Sequence, residues 1–214
     1  LEILIYDEKI KDFEVRLDAN KSLQLKTVHQ VENPNYLFIE IAIGPGTKPC
    51  IFDIILSKGG ITKKYPYELK ARKKDNSEVQ GLNSSDLIYL IMPDRFANGD
   101  YTNDSFDDML QTGINRDKMY FRHGGDLQGI INQLDYLQEL GITALWLNPV
   151  MENDQPYASY HGYAVTDHYA IDKRFGSNEA YKTFVEKCHE KGIKVIMDII
   201  FNHCGHEHWL IKDL

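Results

Sequence analysis

The stretch LQGIINQLDYLQELGITALWL, residues 127–147, joins a helical pattern directly to a strand pattern. Its first part repeats apolar side chains every three or four residues, which predicts an amphipathic helix over residues 127–140 that ends at Gly141. The run 142–147 is almost wholly apolar and predicts a buried strand. A helix leading into a buried strand is typical of a parallel sheet with helices on its outer face.

The same alternation precedes and follows this stretch. Residues 87–92 form a continuous apolar run, and residues 194–201 form another. Between the second and third strands, residues 178–191 repeat the helical period, with Ser177 or Asn178 as the N-cap and Gly192 as the stop. The order strand, helix, strand, helix, strand predicts right-handed crossovers. Periodicity alone does not separate a doubly wound sheet from a barrel.

The first third of the chain has a different pattern, in which short β-type runs are separated by turn-prone residues. The runs are 1–6, 13–17, 23–31, 36–43, 51–56 and 65–69, and the turns include 18–20, 33–35, 44–46 and 59–60. This pattern predicts a β-sandwich of the immunoglobulin-like kind. The polar segment 71–85 reads as a linker. We therefore expect two domains, residues 1–78 and residues 79–214.

Composition excludes several classes of protein. The chain has 214 residues and a net charge of −8, which argues against a nucleic-acid-binding face. Its apolar stretch 193–201 is too short to span a bilayer and contains Lys194 and Asp198, so we expect a soluble protein. Three cysteines match no disulfide framework, and Cys188 is expected to be a small buried hydrophobe. The compartment stays open between periplasm and cytoplasm.

The beginning of the chain also carries an expectation. It starts at Leu1 rather than at a methionine, already within a strand-like pattern. We expect a signal peptide or another leading segment to have been removed or omitted.

A first candidate site gathers side-chain oxygens around two turns. The residues are Asn98, Asp100, Asn103, Asp104, Gly124 and Asp126. Calcium prefers about 6–8 oxygen ligands, and Gly99 would let the loop wrap tightly. The alternative is an ordinary loop of Asx turns. Spacing alone favours that alternative.

A second candidate site is His161-Gly162-Tyr163, with Asp167 and His168, in the long segment after the second strand. Parallel sheets and barrels build their binding sites from such segments. Tyr163 is suited to stack on a pyranose ring while His161 donates to a hydroxyl. The alternative, a packed loop anchor, is equally compatible with the residues.

A third candidate site follows the third strand, with Asp198, Asn202 and His203 in the stretch DIIFNH. Polar residues at the carboxyl end of a barrel strand are more often functional than structural. A carboxylate within an apolar strand predicts a cationic or hydrogen-bonding partner for Asp198. The dense spacing of His203, Cys204, His206 and His208 fits no common zinc pattern. Trp146 and Trp209 are expected to be core or rim aromatics.

Five stretches taken in order resemble the α-amylase family of glycoside hydrolases, family 13, within its neopullulanase, cyclomaltodextrinase and maltogenic amylase group. They are IYLIMPDRFANGD (88–100), HGGDLQG (123–129), LGITALWLNP (140–149), YHGY (160–163) and DIIFNH (198–203), with Asp167 behind the fourth. The resemblance covers residues 86–214. It implies that the second domain is the first part of a (β/α)8 TIM barrel, with three of the eight strands.

The resemblance also implies an activity for the whole protein, which is retaining hydrolysis of α-glucosidic bonds in starch-type glucans, pullulan or cyclodextrins. The family's catalytic nucleophile Asp and acid/base Glu are expected after Leu214, so this segment alone is expected to be inactive. Two alternatives stay open. One is a catalytically inactive relative that binds sugar or a partner protein, and the other is an α-glucan transferase.

Residue roles follow from the same resemblance. It implies that His161, Tyr163 and His203 line a sugar subsite, and that Asp198, with Asn202 nearby, is structural in the active site. It implies a structural Ca²⁺ site formed by Asn98, Asp100, Asn103, Asp104, Gly124 and Asp126. It further implies that the N-terminal domain helps to form a homodimer, as in several members of the group.

Overall fold

The computed structural model describes residues 1–71 and 81–213. The chain divides into two compact units, Leu1–Glu78 and Val79–Leu214, and each has an apolar core of its own. Residues 72–80 of the predicted linker, and with them the predicted boundary between residues 78 and 79, lie outside the described residues.

The first unit consists of six strands, each close to its predicted position. They are β1 (Glu2–Tyr6), β2 (Glu14–Asp18), β3 (Leu23–Gln30), β4 (Tyr36–Ile43), β5 (Cys50–Lys58) and β6 (Ile61–Leu69). All pairings are antiparallel, and the strands form two three-stranded sheets with the orders β1-β4-β3 and β2-β5-β6. The hairpin between β5 and β6 closes through Gly59 and Gly60, whose φ values of 56° and 84° favour glycine.

The two sheets share one apolar core. Along β4, Leu37, Ile39 and Ile41 are buried while Phe38 between them is 41% exposed, as a period of two requires. Phe52 of β5, in the other sheet, belongs to the same core. Because side chains from both sheets fill that core, the sheets pack face to face. Each fully buried Ile or Leu contributes about 1.5–3 kcal/mol to stability.

The second unit is built on a three-stranded parallel sheet. Its strands are β7 (Ile88–Ile91), β8 (Ala144–Leu147) and β11 (Lys194–Met197), in the order β11-β8-β7. All three predicted strands are confirmed, but the third ends at Met197 and not at residue 201. Its pairing with β8 runs from Lys194 opposite Ala144 to Met197 opposite Leu147. The carboxyl ends of the three strands lie at one edge of the sheet.

The described part of this unit also has five α-helices, two 3-10 helices (Tyr101–Asn103 and Ser159–His161) and a pair of short antiparallel strands. The α-helices and strands are α1 (Pro93–Phe96), α2 (Leu127–Asn132), α3 (Leu134–Glu139), α4 (Asn178–Glu190), α5 (Trp209–Lys212), β9 (Met151–Glu152) and β10 (Asp167–Ile171). The continuous helix predicted over residues 127–140 is wrong, because Gln133 donates its N–H to Ile130 O, three residues back, and divides the helix in two. The predicted cap of α4 is confirmed, since Ser177 Oγ accepts from Ala180 N.

The helices cover one side of the parallel sheet. Leu127, Ile130, Leu134, Leu137, Phe184 and Cys188 pack with the buried residues of the strands. Burial raises the pKa of the Cys188 thiol to about 12, which confirms the prediction of a small buried hydrophobe. Within the described ranges, none of the helices is long and apolar enough to cross a membrane.

Candidate functional site

Five side chains meet at the carboxyl edge of the parallel sheet, and we call them the strand-end cluster. They are Trp146, His161, Tyr163, Asp198 and His203. Asp198 follows the last residue of β11 and is half-buried, so its predicted position within an apolar strand is wrong. The prediction that Asp198 has a hydrogen-bonding partner is confirmed. Asp198 Oδ2 accepts from two side chains, Tyr163 Oη at 3.1 Å and Trp146 Nε1 at 3.2 Å.

His161 and Tyr163 form the centre of this cluster. The N–H of Tyr163 donates to His161 Nδ1 at 2.9 Å, and the two ring centroids are 5.9 Å apart. Burial lowers the pKa of His161, so the ring is neutral at pH 7 and carries its proton on Nε2. Burial and the bond to Asp198 raise the pKa of Tyr163. The cluster therefore presents a neutral imidazole donor beside a neutral phenol ring.

His203 joins the cluster from the segment after β11. Its Nε2 lies 3.0 Å from Tyr163 O. A carbonyl oxygen only accepts, so His203 Nε2 carries a proton, and in the neutral ring Nδ1 is left as an acceptor. The side chain is exposed. Together His161 and His203 offer one donor and one acceptor beside the residue that carries the phenol ring, which suits a polyhydroxylated ligand.

Gly162 makes the geometry of the cluster possible. Its φ is +82°, and a Cβ at this position would lie 2.0 Å from Pro149 O. Any other residue would clash with that backbone and adopt a strained conformation. The close approach holds the segment of His161 and Tyr163 against the end of β8, where Asn148 Nδ2 donates to His161 O at 3.4 Å.

A buried ion pair fixes the loops that lead into the cluster. Arg174 donates to both oxygens of Asp172, at 2.9 Å and 2.7 Å, and also to the carbonyls of Gln111 and Asn153. Burial opposes the charge of Asp172, but the bonds from Arg174 hold its pKa below the usual value. Gln111 Oε1 in turn accepts from the N–H and hydroxyl of Ser159. The pair thus connects the start of the His161 segment to the interior.

A second buried pair lies beside the first. Arg122 is 1% exposed; its guanidinium stacks 4.7 Å from the centroid of Phe175, and its Nε lies 3.7 Å from Asp94 Oδ1. Burial raises the pKa of Asp94 in spite of the neighbouring arginines. No local sequence pattern marks these partners, which are distant in the chain.

His168 and His208 form a hydrogen-bonded pair behind the strand-end cluster. Leu210 N donates to His208 Nδ1 at 3.1 Å, so the neutral His208 ring carries its proton on Nε2, which lies 3.1 Å from His168 Nδ1. His168 Nε2 then donates to Ile200 O at 3.0 Å. Every nitrogen of the two rings has a partner, and the pair ties the segment after β11 to β10.

The six residues of the predicted calcium site also lie together, and we call them the Asp126 cluster. They are Asn98, Asp100, Asn103, Asp104, Gly124 and Asp126. Asp126 caps α2 and is fully buried, and its carboxylate accepts from the backbone of Gly99, Asp100 and Gly129 and from Asn103 Nδ2. Asn98 Nδ2 donates to Asp104 Oδ1 at 2.6 Å. A Cβ on Gly124 would touch both of those side chains.

Two oxygens in the Asp126 cluster fit a cation. Asn98 Oδ1 and Asn103 Oδ1 are buried and accept no hydrogen bond from any described residue, and buried acceptors in that state are costly unless another ligand satisfies them. The donor set is oxygen throughout, as Ca²⁺ prefers. Within the described part of the chain, no three His, Cys, Asp or Glu side chains are grouped for a metal.

Gly99 has a different role from the predicted one. Its φ is not positive, but a Cβ there would lie 2.3 Å from Gly129 N. The glycine is therefore needed because the loop presses against the amino end of α2, and not because of its backbone angles.

The structure does not bring every predicted residue into one place. Asn202 is exposed on the segment after β11. Asp167 lies in β10, where its Oδ1 accepts from Tyr169 N. Trp146, expected in the core or at a rim, is 40% exposed and donates to Asp198, a bond that the sequence analysis did not predict. The feature of the sequence that could have identified Trp146 as a site residue is its position at the end of the second strand.

Comparison with known families gives two matches. Residues 90–213 match the α-amylase catalytic domain, and residues 1–73 match the N-terminal domain of cyclomaltodextrinase. The first match covers more than half of the chain.

Individual relatives are similar over the same regions. A cyclomaltodextrinase from Thermoanaerobacter pseudethanolicus is 41% identical over 150 residues, covering 70% of this chain and 25% of that protein. Neopullulanase 2 from Thermoactinomyces vulgaris is 39% identical over 128 residues, covering 60% and 21%. The chain therefore spans about a quarter of the length of these curated relatives.

Among solved structures, the cyclic α-maltosyl-(1→6)-maltose hydrolase from Arthrobacter globiformis in complex with maltose is similar. It is 35% identical to this chain, with a TM-score of 0.52, and the match covers 60% of this chain and 28% of that one.

Proposed function

Because this chain belongs to the α-amylase catalytic-domain family, we propose that the intact protein is a retaining glycoside hydrolase acting on α-glucosidic bonds. Its substrates in this proposal are starch-type glucans, pullulan or cyclodextrins. The observation that carries the proposal is the strand-end cluster, where His161, Tyr163 and His203 meet at the carboxyl edge of a parallel sheet. The relatives named cyclomaltodextrinase and neopullulanase support the substrate class.

In this proposal the strand-end cluster holds one sugar unit. Tyr163 stacks on the apolar face of the pyranose ring, and Asp198 fixes that ring through the hydroxyl bond of 3.1 Å. His161 Nε2 donates to one sugar hydroxyl, and His203 Nδ1 accepts from another. Both bonds would strengthen as the oxocarbenium-like transition state forms. Bonds that are stronger in the transition state than in the bound substrate favour catalysis.

We place the two catalytic carboxyl groups outside residues 1–214. In a retaining mechanism one carboxylate attacks the anomeric carbon while the other carboxyl group protonates the leaving oxygen, and water then hydrolyses the glycosyl-enzyme. The residues of this chain position the sugar for that attack. The second unit would then supply the first strands of a (β/α)8 barrel, and the first unit would be an immunoglobulin-like sandwich that helps to form a homodimer.

The Asp126 cluster is the proposed Ca²⁺ site. Its ligands would be Asn98, Asp100, Asn103, Asp104 and Asp126 through their side chains and Gly124 through its carbonyl. When bound, the ion would satisfy the buried oxygens of Asn98 and Asn103 and tie the loop after β7 to the start of α2.

The calcium proposal is tested by thermal unfolding of the intact protein with added Ca²⁺ and with a chelator. Ca²⁺ should raise the unfolding temperature, because it binds only the folded state. Asn103→Ala should abolish the rise, whereas Asn83→Ala, a change in an exposed turn, should retain it. An unfolding temperature that neither Ca²⁺ nor chelator alters contradicts the proposal.

The activity is tested by incubating the intact protein with maltooligosaccharides, cyclodextrins and pullulan and analysing the products. We expect shortened products that retain the α configuration at the new reducing end. Longer products would instead indicate an α-glucan transferase. Binding without any turnover would indicate a catalytically inactive sugar-binding relative.

A further inference from the structure

Two exposed tyrosines lie side by side on the loops next to the strand-end cluster. Tyr120 and Tyr157 are 54% and 64% exposed, yet their ring centroids are 5.8 Å apart with an interplanar angle of 42°. They come from segments 37 positions apart in the sequence. Two tilted aromatic rings open to solvent form a curved apolar surface edged by phenol hydroxyls, which we call the tyrosine platform.

The backbone on the Tyr120 side of the platform is held firmly. The Arg95 guanidinium donates to the carbonyls of both neighbours of Tyr120, at 2.7 Å to Met119 O and 3.0 Å to Phe121 O. His123 Nε2 adds a bond to Lys118 O at 3.2 Å. The loop is thereby fixed on both sides of the exposed ring.

The Tyr157 side is anchored by buried groups. Two residues after Tyr157, Ser159 is fully buried and donates both its N–H and its hydroxyl to Gln111 Oε1, while its carbonyl accepts from Asn153 Nδ2 at 2.7 Å. Exposed rings on fixed backbone lose little freedom when a ligand binds. That is the arrangement of a binding surface, since a ring with no such role needs no anchoring on both sides.

Arg95 links the loop of the tyrosine platform to the strand-end cluster. Arg95, which holds the Tyr120 loop, also lies 4.0 Å over the ring of Tyr160. The ring of Tyr160 contacts His161, and His161 contacts Tyr163, with centroid distances of 5.7 Å and 5.9 Å. Arg95 therefore connects the backbone of the Tyr120 loop to the aromatic side chains that lead to the proposed sugar subsite.

We propose that the tyrosine platform binds the outer sugar units of an α-glucan chain whose end lies in the strand-end cluster. This inference rests on the proposed function and adds a second binding region to it. An α-linked glucan curves, so neighbouring pyranose faces tilt relative to one another, and the tilted rings of Tyr120 and Tyr157 match that curvature. The phenol hydroxyls at the rim can donate to sugar hydroxyls.

The test compares a long ligand with a short one. Sulfur-linked analogues of maltoheptaose and maltose, whose bonds resist hydrolysis, are titrated into the intact protein by calorimetry. Tyr120→Ala and Tyr157→Ala should each weaken binding of the long analogue by about three- to tenfold. Binding of the short analogue should stay unchanged, because it occupies the strand-end cluster alone. Tyr120→Phe and Tyr157→Phe keep the ring and should lose much less.

Tyr136→Ala is the matched control, because Tyr136 is 53% exposed on α3, and it should bind both analogues as the wild type does. If Tyr120→Ala and Tyr157→Ala bind the long analogue as tightly as the wild type does, the tyrosine platform is not a sugar-binding surface. That result leaves the proposed function standing. A wild-type protein that binds neither analogue overturns the proposed function as well. Equal thermal unfolding of all variants confirms that the comparison concerns folded protein.

Discussion

The strand-end cluster and the Asp126 cluster both follow strands of the same sheet, but they are built in opposite ways. Asp126 is fully buried and accepts four hydrogen bonds, three of them from backbone N–H groups. In the strand-end cluster, Asp198 and Tyr163 are half-buried and His203 is exposed. There, Asp198 accepts two side-chain bonds, and His161 and His203 each bond to the backbone of Tyr163.

We propose that this difference separates a structural centre, which would also hold Ca²⁺, from a sugar-binding centre. A carboxylate that accepts three backbone N–H groups and one side-chain N–H fixes two loops, and a Ca²⁺ ion at this cluster would add to that structural role. Partly exposed aromatic and imidazole groups on a fixed backbone keep their faces available to a ligand. We therefore expect changes in the Asp126 cluster to alter stability, and changes in the strand-end cluster to alter sugar binding.

The largest effect is expected from Asp126→Ala. It leaves the buried N–H groups of Gly99, Asp100 and Gly129 without their acceptor, which should lower the free energy of unfolding by roughly 3–5 kcal/mol. Chemical denaturation of the intact protein measures this loss. Asp107→Ala, at an exposed position, is the control and should change it by less than about 0.5 kcal/mol. If the two variants have the same free energy of unfolding, the Asp126 cluster is not a structural centre.

A smaller loss is expected from Gly162→Ala, which breaks the close approach to Pro149 O. The clash and the positive φ together should cost about 2–4 kcal/mol and displace His161 and Tyr163. Gly192→Ala separates the two causes, since Gly192 has a φ of +71° but open space at the Cβ position. It should cost about 1 kcal/mol. If both variants unfold alike, the contact with Pro149 does not position the cluster.

The pH dependence of stability is a further test, centred on His208. Burial and the neighbouring His168 lower the pKa of His208, and the charge of Asp167 opposes them. The folded state therefore binds fewer protons than the unfolded state, whose histidines have a pKa of about 6.5. The contribution of His208 to the free energy of unfolding is fully present above the pKa of the unfolded state. It falls as the pH drops below that pKa, by up to about 1.4 kcal/mol per pH unit.

Replacing the histidine isolates its contribution. His208→Gln should flatten the slope between roughly pH 6.5 and pH 5, the range in which a histidine titrates, in denaturation experiments. His189→Gln, at an exposed position on α4, should leave the slope unchanged. A slope that survives in His208→Gln would mean that other groups carry the acid sensitivity.

The smallest effect on stability is expected at Tyr163. Tyr163→Phe loses only the hydroxyl bond to Asp198 and should change the free energy of unfolding by about 0.5–1.5 kcal/mol. Sugar binding should weaken only slightly, because the ring remains. Calorimetric titration together with denaturation of the same variant distinguishes the two contributions. A large loss of stability would instead show that Tyr163 has a structural role.

Most of the backbone arrangement could be predicted from the sequence, because it depends on local periodicity. The six β runs and the three parallel strands appear where the apolar patterns place them, and Ser177 caps α4 as its side chain predicts. The break at Gln133 could not be predicted, since nothing in the apolar spacing of residues 127–140 interrupts a helix.

The candidate site was predictable only in part. The residues of both clusters, except Trp146, were identified from motifs, and their partners were not. The bond from Trp146 to Asp198 and the pair of His168 and His208 join residues 52 and 40 positions apart. Tyr120 and Tyr157 carry no motif at all. Contacts of this kind follow from the packing of loops, which local pattern does not encode.

Sugar binding by the strand-end cluster is tested by titration of the sulfur-linked maltose analogue into wild type and Tyr163→Ala. We predict measurable binding by the wild type and at least about a tenfold weaker binding by Tyr163→Ala, because the ring that stacks on the sugar is lost. Thermal unfolding of the variant should show that it remains folded. Equal affinity of the two folded proteins would contradict the account.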